Sequence, residues 1–219
     1  MNQSNIAAKA TRGIGQRPFL WWHAALIFVV ANALSAAPAG YNGEEAFYNN
    51  FIQPAIAPPD WAFAPAWLFN NVTSLYALWR VANLPVATPG RRLFVRLEAV
   101  NWVLFAIFSL LYFGLKSPIL GAIDTVLGLL VTGWSLAVCY RINKKAALYI
   151  LPRFLWLLLA THVSVYVALV NKDVLLNVGP FAMFPTCIYF ERFPPYSSQY
   201  GAVRSASVEP MRSNVSFFR

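Results

Sequence analysis

Residues 53–67 read QPAIAPPDWAFAPAW and lead directly into an apolar run that ends near residue 84. The paired prolines Pro58 and Pro59 bias the preceding backbone towards extended geometry, so a helix is expected to begin only after them. Trp61, Phe63 and Trp67 follow at spacings that bring some of their rings towards one side of a helix. This stretch therefore predicts a proline-ordered loop that enters a helix with aromatic side chains at its start.

The composition of the whole chain is typical of a membrane protein. Of its 219 residues, 58% are hydrophobic and 11% are charged, whereas a soluble domain carries roughly 25% charged residues. The formal net charge is +9. The basic residues lie between apolar runs, however, and form no single patch of the kind that binds nucleic acid. The lipid bilayer is therefore the predicted partner, and nucleic acid is not.

Apolar runs long enough to span a bilayer occur five times along the chain. They cover residues 19–37, 61–84, 93–115, 119–140 and 147–171. Most links between them are short, which favours antiparallel neighbours. We therefore predict an all-α membrane protein, a five-transmembrane-helix antiparallel bundle over residues 19–171. A segment 1–18 precedes it, and residues 172–219 are predicted to form a surface-lying or disordered tail.

The distribution of Lys and Arg predicts the orientation of the bundle. Basic residues are concentrated at one of its ends: Lys9, Arg12, Arg17, Arg91, Arg92, Arg141, Lys144 and Lys145. Only Lys116 and Lys172 lie close to a span at the other end. The positive-inside rule then predicts a cytoplasmic amino terminus and a tail on the opposite side. An alternative for residues 19–37 is a cleaved signal peptide, because basic residues precede the run and small residues end it.

Groups that carry catalysis or bind metals are sparse in this sequence. The two cysteines, Cys139 and Cys187, and the two histidines, His23 and His162, form no metal-ligand pattern. No nucleophile, base and orienting group occur at a recognisable spacing. We therefore predict no catalytic residue, no metal site and no required cofactor, and leave enzymatic activity open.

Polar residues within the predicted spans are costly in hydrocarbon unless they face the bundle interior or the membrane surface. The amides of Asn70, Asn71 and Asn101 are interpreted as hydrogen-bonding groups between helices. Four charged residues are interpreted as reaching the membrane surface along their own helices: Arg80, Arg96, Glu98 and Arg153.

Three motifs occur in order along the chain. The first is the stretch 53–67, in which these residues stand at a fixed spacing: Pro54, Pro58, Pro59, Trp61, Phe63, Pro65 and Trp67. The second is FGLKSP at residues 113–118, followed by Asp124. The third lies in the last span and consists of Pro152, Trp156, Ala160 and Thr161. Together they resemble the TspO/MBR family of tryptophan-rich membrane proteins over residues 19–171.

The chain also departs from the family pattern at several positions: Gln53, Ile56, Asn70, Asn71, Arg153 and Leu159. The polar motif of the family's third span falls on Asn101, Phe105 and Phe108, so none of its three side chains is kept. The resemblance therefore indicates a divergent branch.

The resemblance implies a ligand pocket between the helices, closed by the loop before Trp61. The implied ligands are tetrapyrroles such as porphyrin or haem, and also sterols, which such proteins sense or transport. We predict six site residues, of which the first two lie in the covering loop and the others face the pocket: Trp61, Phe63, Trp67, Asn101, Trp156 and Ala160.

Other interpretations stay open at this point. Aromatic rings also form belts at membrane surfaces, which need no ligand. The tail residues Phe190, Phe193, Tyr196 and Tyr200 suggest a structural or pigment-contacting subunit of a larger membrane complex. An enzyme that acts on porphyrin is a third class, and a homodimer is compatible with each of them.

Overall fold

The computed structural model describes residues 18–42 and 48–181. Long helices make up most of this part: α1 (Trp21–Asn42), α2 (Phe63–Ala82), α3 (Arg91–Ser109), α4 (Pro118–Ile142) and α5 (Leu151–Val170). Short helical turns lie at Asp60–Ala62, Leu110–Gly114 and Lys144–Ala147. The described residues contain no strand, and their one β-type pairing is an isolated bridge between Asp173 and Val178. The prediction of an all-α bundle is confirmed.

Four of the long helices in the described part are long and apolar enough to cross a membrane: α1, α3, α4 and α5. Helix α2 has 20 residues, which at ~1.5 Å per residue gives a length of about 30 Å. It carries the polar residues Asn70, Asn71 and Arg80 and is not among these four. Helix α2 nevertheless packs against α1, α3 and α5 and is therefore part of the bundle.

Hydrogen bonds between helix ends show the antiparallel order. The backbone N–H and C=O of Phe19, just before α1, bond to the side-chain amide of Asn83, just after α2, at 3.0 and 2.8 Å. At the opposite end, the carboxylate of Asp173, after α5, accepts hydrogen bonds from Ser117 and Ile119 at the start of α4. Consecutive long helices therefore run in opposite directions at both of these junctions.

The bundle has two chemically different ends. The basic end holds the start of α1, the end of α2 and the start of α3, together with Arg141 and the turn Lys144–Ala147. The loop end holds residues 48–62, here called the first loop, and residues 171–181 after α5. The side chain of Asn171 joins these two segments. It accepts the N–H of Ile52 at 2.8 Å and donates to the C=O of Ile52 at 2.9 Å.

Helix α4 begins where the sequence supplies a cap. Ser117 Oγ accepts the N–H of Leu120 at 3.2 Å, and Pro118 occupies the first helical position. Both features are typical of helix starts. Gly121 then packs against the ring of Tyr112 so closely that a side chain at position 121 would require the ring to move. This contact holds the start of α4 against the turn that follows α3.

Two of the prolines noted in the sequence lie at helix ends. Pro65 and Pro152 stand in the first turns of α2 and α5, where the missing N–H would have no helical partner in any case. Pro38 behaves differently because it lies inside α1. Helix α1 continues to Asn42, beyond the predicted end at residue 37.

Buried side chains form two clusters. Near the basic end, Val81, Phe94, Cys139 and Ile150 are fully buried in the larger cluster. At the loop end, Tyr48, Tyr112 and Phe113 form a smaller aromatic cluster. The aromatic cluster supplies one side of a cavity at this end of the bundle.

Candidate functional site

A cavity of about 670 Å³ lies at the loop end of the bundle. All five long helices and the first loop contribute to its lining. Its volume lies within the range of roughly 300–1,000 Å³ that is usual for small-molecule pockets, and its mainly apolar lining is also typical of them. The structure brings these predicted site residues together around it: Trp61, Phe63, Trp67, Trp156 and Ala160.

Aromatic side chains from three helices form the walls of this cavity. The rings of Trp67 and Phe105 pack with their centroids 5.1 Å apart, joining α2 to α3. Phe63 meets Trp156 edge-to-face at 5.6 Å, joining α2 to α5. These contacts hold the rings in fixed positions, so their faces are available to a ligand without a prior ordering cost.

Trp156 combines a flat face with an unused polar group. Its Nε1 is buried and has no hydrogen-bond partner among the described residues. A buried indole N–H usually has an acceptor, so this group is an unsatisfied donor in the wall of the cavity. Ala160 follows Trp156 by four residues on the same helix face. The small side chain of Ala160 leaves space beside the indole.

The first loop is fastened over the cavity by several hydrogen bonds. Tyr48 donates its hydroxyl to the C=O of Pro58 at 3.0 Å, and Gln53 Nε2 donates to the C=O of Tyr48 at 2.7 Å. The ring of Tyr48 also packs edge-to-face on Phe63 at 5.2 Å. Trp61, at the rim, is 73% exposed, so only part of its ring faces the cavity.

Tyr48 is held in its neutral form at physiological pH. Burial of the phenol raises its pKa to about 12, and the nearby negative charge of Asp60 contributes in the same direction. The hydroxyl is therefore always available as the donor to Pro58. This bond links the first residue of the described loop to the proline pair that precedes Trp61.

Asn101 is placed differently from the other predicted site residues. It does not line the large cavity but lies against a second, much smaller one of about 30 Å³. Its Oδ1 accepts the hydroxyl of Thr132 at 3.0 Å, and its amide approaches Glu98 Oε1 at 3.5 Å. Asn101 therefore acts as a hydrogen-bonding group between α3 and α4, which is the other role that the sequence suggested for it.

The interpretation of Glu98 and Arg153 as surface-reaching side chains was wrong. Arg153 Nη2 lies 2.6 Å from Glu98 Oε1, and both side chains are buried. Ser135 Oγ donates to the same oxygen at 2.5 Å. The charge of each residue is compensated inside the bundle, so neither needs to reach the membrane surface. Arg80 is partly exposed and Arg96 is exposed, as expected.

One stripe of side chains along α3 and the following turn Leu110–Gly114 connects the Glu98–Arg153 ion pair to the large cavity. This stripe was not recognised from the sequence. It carries residues three or four apart, with polar groups towards the basic end and rings towards the loop end: Glu98, Asn101, Phe105, Phe108 and Tyr112. Phe105, Phe108 and Tyr112 line the large cavity. The helical spacing was the available signal, since these residues fall where the family's third-span motif is lost.

Metal chemistry finds no support in this part of the chain. Across residues 18–42 and 48–181, no group of three or more His, Cys, Asp or Glu side chains could hold an ion. Cys139 is a buried free thiol. Outside the described residues lie Cys187 and the tail residues Phe190, Phe193, Tyr196 and Tyr200.

Comparison with known proteins agrees with the motifs. A sequence model of the TspO/MBR family matches residues 24–170. A tryptophan-rich protein TspO from Chlorobaculum tepidum is 26% identical over 125 residues, which are 57% of this chain and 79% of that protein. Another of the same name, from Archaeoglobus fulgidus, is 26% identical over 156 residues, 67% of this chain and 98% of that protein. The matched region contains the cavity and nearly all of the five long helices, and the chain therefore belongs to the TspO/MBR family.

Proposed function

We propose that this protein binds a tetrapyrrole, such as a porphyrin or haem, in the cavity at the loop end and acts as a sensor or transporter of that ligand. The observation that carries the proposal is the aromatic lining of the 670 Å³ cavity. Two tryptophans from different helices, Trp67 and Trp156, line the same space. Flat conjugated molecules stack favourably on such rings.

The chemistry of the walls also supports a flat ligand with polar atoms. Trp156 offers both an indole face and a buried N–H without a partner in the described chain. Ala160, one turn further along α5, leaves a slot beside that indole. A ring that lies in this slot can stack on the indole face of Trp156.

The position of the first loop beside the cavity supports a function in which the ligand is taken up and released. Its hydrogen bonds to Asn171 and within the loop itself hold the loop beside the cavity at the loop end. A ligand that enters or leaves through this end displaces the loop. Occupancy of the cavity is thereby linked to the position of the loop, which is a property that a sensor or a transporter requires.

Sterols form a second candidate ligand class. Val163, Ser164 and Val167 of α5 line the cavity and give it an apolar wall with one hydroxyl group. A rigid apolar ligand with a single hydroxyl would suit this wall. We therefore include a sterol as a competitor in the test.

The proposal can be tested by titrating the purified full-length protein in detergent with a water-soluble porphyrin while the Soret absorbance is followed. Ala160→Leu fills the slot beside Trp156 without removing any aromatic ring. Ala99→Leu is the matched control, because Ala99 is exposed on α3 and lines neither cavity. We expect at least tenfold weaker binding in Ala160→Leu and unchanged binding in Ala99→Leu, with similar melting temperatures for both.

Equal affinities of the two variants would place the ligand elsewhere. Displacement of the porphyrin by a sterol would identify a shared site for both classes. If wild-type protein shows no saturable porphyrin binding but is recovered from native membranes in a stoichiometric complex, the structural-subunit interpretation replaces this proposal.

A further inference from the structure

A separate groove lies at the basic end, on the far side of the bundle from the cavity described above. It has a volume of about 600 Å³ and runs between the start of α1, the end of α2 and the first turns of α3. Its lining combines positively charged side chains with apolar ones. The groove shares no lining residue with the large cavity, so it is an independent feature.

Three arginines of α3 line this groove: Arg91, Arg92 and Arg96. Arg91 is held in place because its Nη2 and Nε donate to the C=O of Ala82 at 2.6 and 3.3 Å. Arg92 and Arg96 are one helical turn apart and exposed. Within the described chain neither of these two has a hydrogen-bond or ion-pair partner.

No acidic group of the residues that the structure describes lines this groove. The carboxylates of the described residues are those of Asp60, Glu98, Asp124 and Asp173, and none of them lines the groove. Residues 1–17, which directly precede the groove in sequence, include three basic residues and no acidic one. Among residues 18–42 and 48–181, the positive charge of the groove therefore has no acidic counterpart in its lining.

His23 adds a further donor to the same groove. Its Nδ1 accepts the N–H of Leu20 at 2.8 Å, so the proton of the neutral ring lies on Nε2. The imidazole packs against Trp22 and Phe19, with centroid distances of 3.8 and 5.4 Å. The ring orientation is thus set before any ligand binds, and Nε2–H is its available donor.

The floor of the groove is apolar and continues onto a lipid-facing surface. Leu26 and Ile27 come from α1, and Val95 comes from α3. Leu26 is 55% exposed, on a helix that is apolar enough to cross a membrane. A soluble anion would gain nothing from this floor, whereas an amphiphile buries its hydrocarbon there.

We propose that this groove binds one anionic phospholipid of the surrounding leaflet. Its phosphodiester lies among the guanidinium groups of Arg91, Arg92 and Arg96 and the Nε2–H of His23, and one acyl chain lies along the apolar floor. Arginine is well suited to this role because its planar donors match the geometry of a phosphate. A zwitterionic headgroup is disfavoured, since its ammonium group would lie against the same positive charges.

The bound lipid bridges α1 and α3 at the end of the bundle. A ligand that binds only the folded protein raises its apparent stability. The melting temperature of the purified protein is therefore a direct measure of occupancy, and it does not depend on the tetrapyrrole proposal.

The test uses the full-length protein in a neutral detergent, titrated with dioctanoyl phosphatidylglycerol, dioctanoyl phosphatidylcholine or inorganic phosphate. Binding is followed by the melting temperature and by native mass spectrometry. The variant Arg92→Gln/Arg96→Gln removes two charges from the groove. The matched control Arg141→Gln/Lys145→Gln removes two exposed charges from the same end of the bundle but outside the groove.

We expect wild-type protein to bind phosphatidylglycerol at least tenfold more tightly than phosphatidylcholine. The groove variant should lose at least tenfold in this affinity, and the control should stay within about twofold of wild type. An equal loss in both double variants would show diffuse attraction to the basic end and overturn the proposal. Equal binding of the two lipids would overturn the proposal as well. Stabilisation by inorganic phosphate equal to that by phosphatidylglycerol would also overturn it, because it would indicate a site for a soluble anion.

Discussion

Arg153 and Glu98 form a one-sided ion pair inside the membrane bundle. Arg153 Nη2 contacts Glu98 Oε1 at 2.6 Å, while Glu98 Oε2 and Arg153 Nε are buried without a partner in the described part of the chain. The pair joins the third turn of α3 to the first turn of α5. Each charge depends on the other for compensation, so the two residues act as a unit.

Removal of one member of this pair should destabilise the protein strongly. Arg153→Met leaves a buried carboxylate without its cation, and we expect a loss of about 3–5 kcal/mol in the free energy of unfolding. The double variant Glu98→Gln/Arg153→Met should lose less than Arg153→Met alone, because no isolated charge remains. Unfolding in mixed micelles with increasing SDS gives the measurement, with exposed Arg141→Met as the control. Additive losses in the double variant would show that the two residues are not coupled.

Trp156 should provide the stacking wall of the cavity. We expect Trp156→Ala to weaken porphyrin binding by about 1–3 kcal/mol, by analogy with base stacking on aromatic residues, which is roughly tenfold or more in affinity. Trp156→Phe should retain part of the binding. Trp134→Ala is the control, since Trp134 is 56% exposed on α4 and does not line the cavity. Soret absorbance is the suitable readout because it does not depend on the number of tryptophans.

The prolines of the first loop should contribute to ligand affinity more than to bundle stability. Pro58→Gly/Pro59→Gly makes the unbound loop more flexible, and each change costs about 0.4–1 kcal/mol when the loop is ordered. We therefore expect binding to weaken by roughly three- to thirtyfold. The control Pro85→Gly/Pro89→Gly changes the link between α2 and α3 at the basic end. Equal porphyrin affinity in both double variants would mean that the first loop does not close the site.

Asp173 should make the loop end sensitive to acid. Burial would raise the pKa of this carboxyl group, but hydrogen bonds from the N–H of Leu176, the hydroxyl of Ser117 and the N–H of Ile119 outweigh it and hold the pKa below its usual value. The contribution of the ionised Asp173 carboxylate to the free energy of unfolding is therefore fully present above the unfolded-state pKa of about 4. It is lost as the pH falls through the lower pKa of the folded state.

Asp173→Asn should accordingly cost about 1–2 kcal/mol at neutral pH. Its difference in melting temperature from wild type should shrink when the pH is lowered below about 4. Lys172→Gln, which removes a charge from the neighbouring exposed residue, should show no such dependence. A difference for Asp173→Asn that stays constant from pH 7 to pH 3 would contradict the role of the ionised carboxylate.

The basic end is expected to face the cytoplasm, because Lys and Arg accumulate there. In a Cys187→Ser background, Cys139 is buried and should not react with an impermeant maleimide. Val174→Cys, at the exposed loop end, should be labelled in intact cells, whereas Lys145→Cys should react only after permeabilisation. The reverse labelling pattern would invert the orientation.

The sequence predicts the helices well because a helix that crosses a lipid bilayer requires a long run of apolar residues. Runs of apolar residues locate the five long helices, and the proline pair locates the entry to α2. The end of α1 was misplaced because Pro38 normally ends a helix, yet here α1 continues through it to Asn42. Neighbouring groups can satisfy the carbonyl that a proline frees, and these neighbours are not visible in a linear sequence.

Pairings between helices were the part that sequence reasoning missed. A charged residue near a helix end can reach the membrane surface or find a partner inside, and hydropathy does not distinguish the two outcomes. Glu98 and Arg153 are 55 residues apart and meet only because α3 and α5 pack around the same part of α4. The same network determines where the Asn101 side chain lies. Its amide group forms hydrogen bonds with Glu98 and Thr132 and does not line the large cavity.

The fastening of the first loop has a consequence for the order of biosynthesis. Ile52 and Asn171, which hold the loop to the end of α5, are 119 residues apart in the chain. At a synthesis rate of about 5–20 residues per second, Asn171 emerges about 6–24 s after Ile52. During this interval the nascent loop lacks its hydrogen bonds to the end of α5, although its contacts within residues 48–63 can already form. Assembly of the loop end of the cavity is therefore complete only after the last helix has been synthesised.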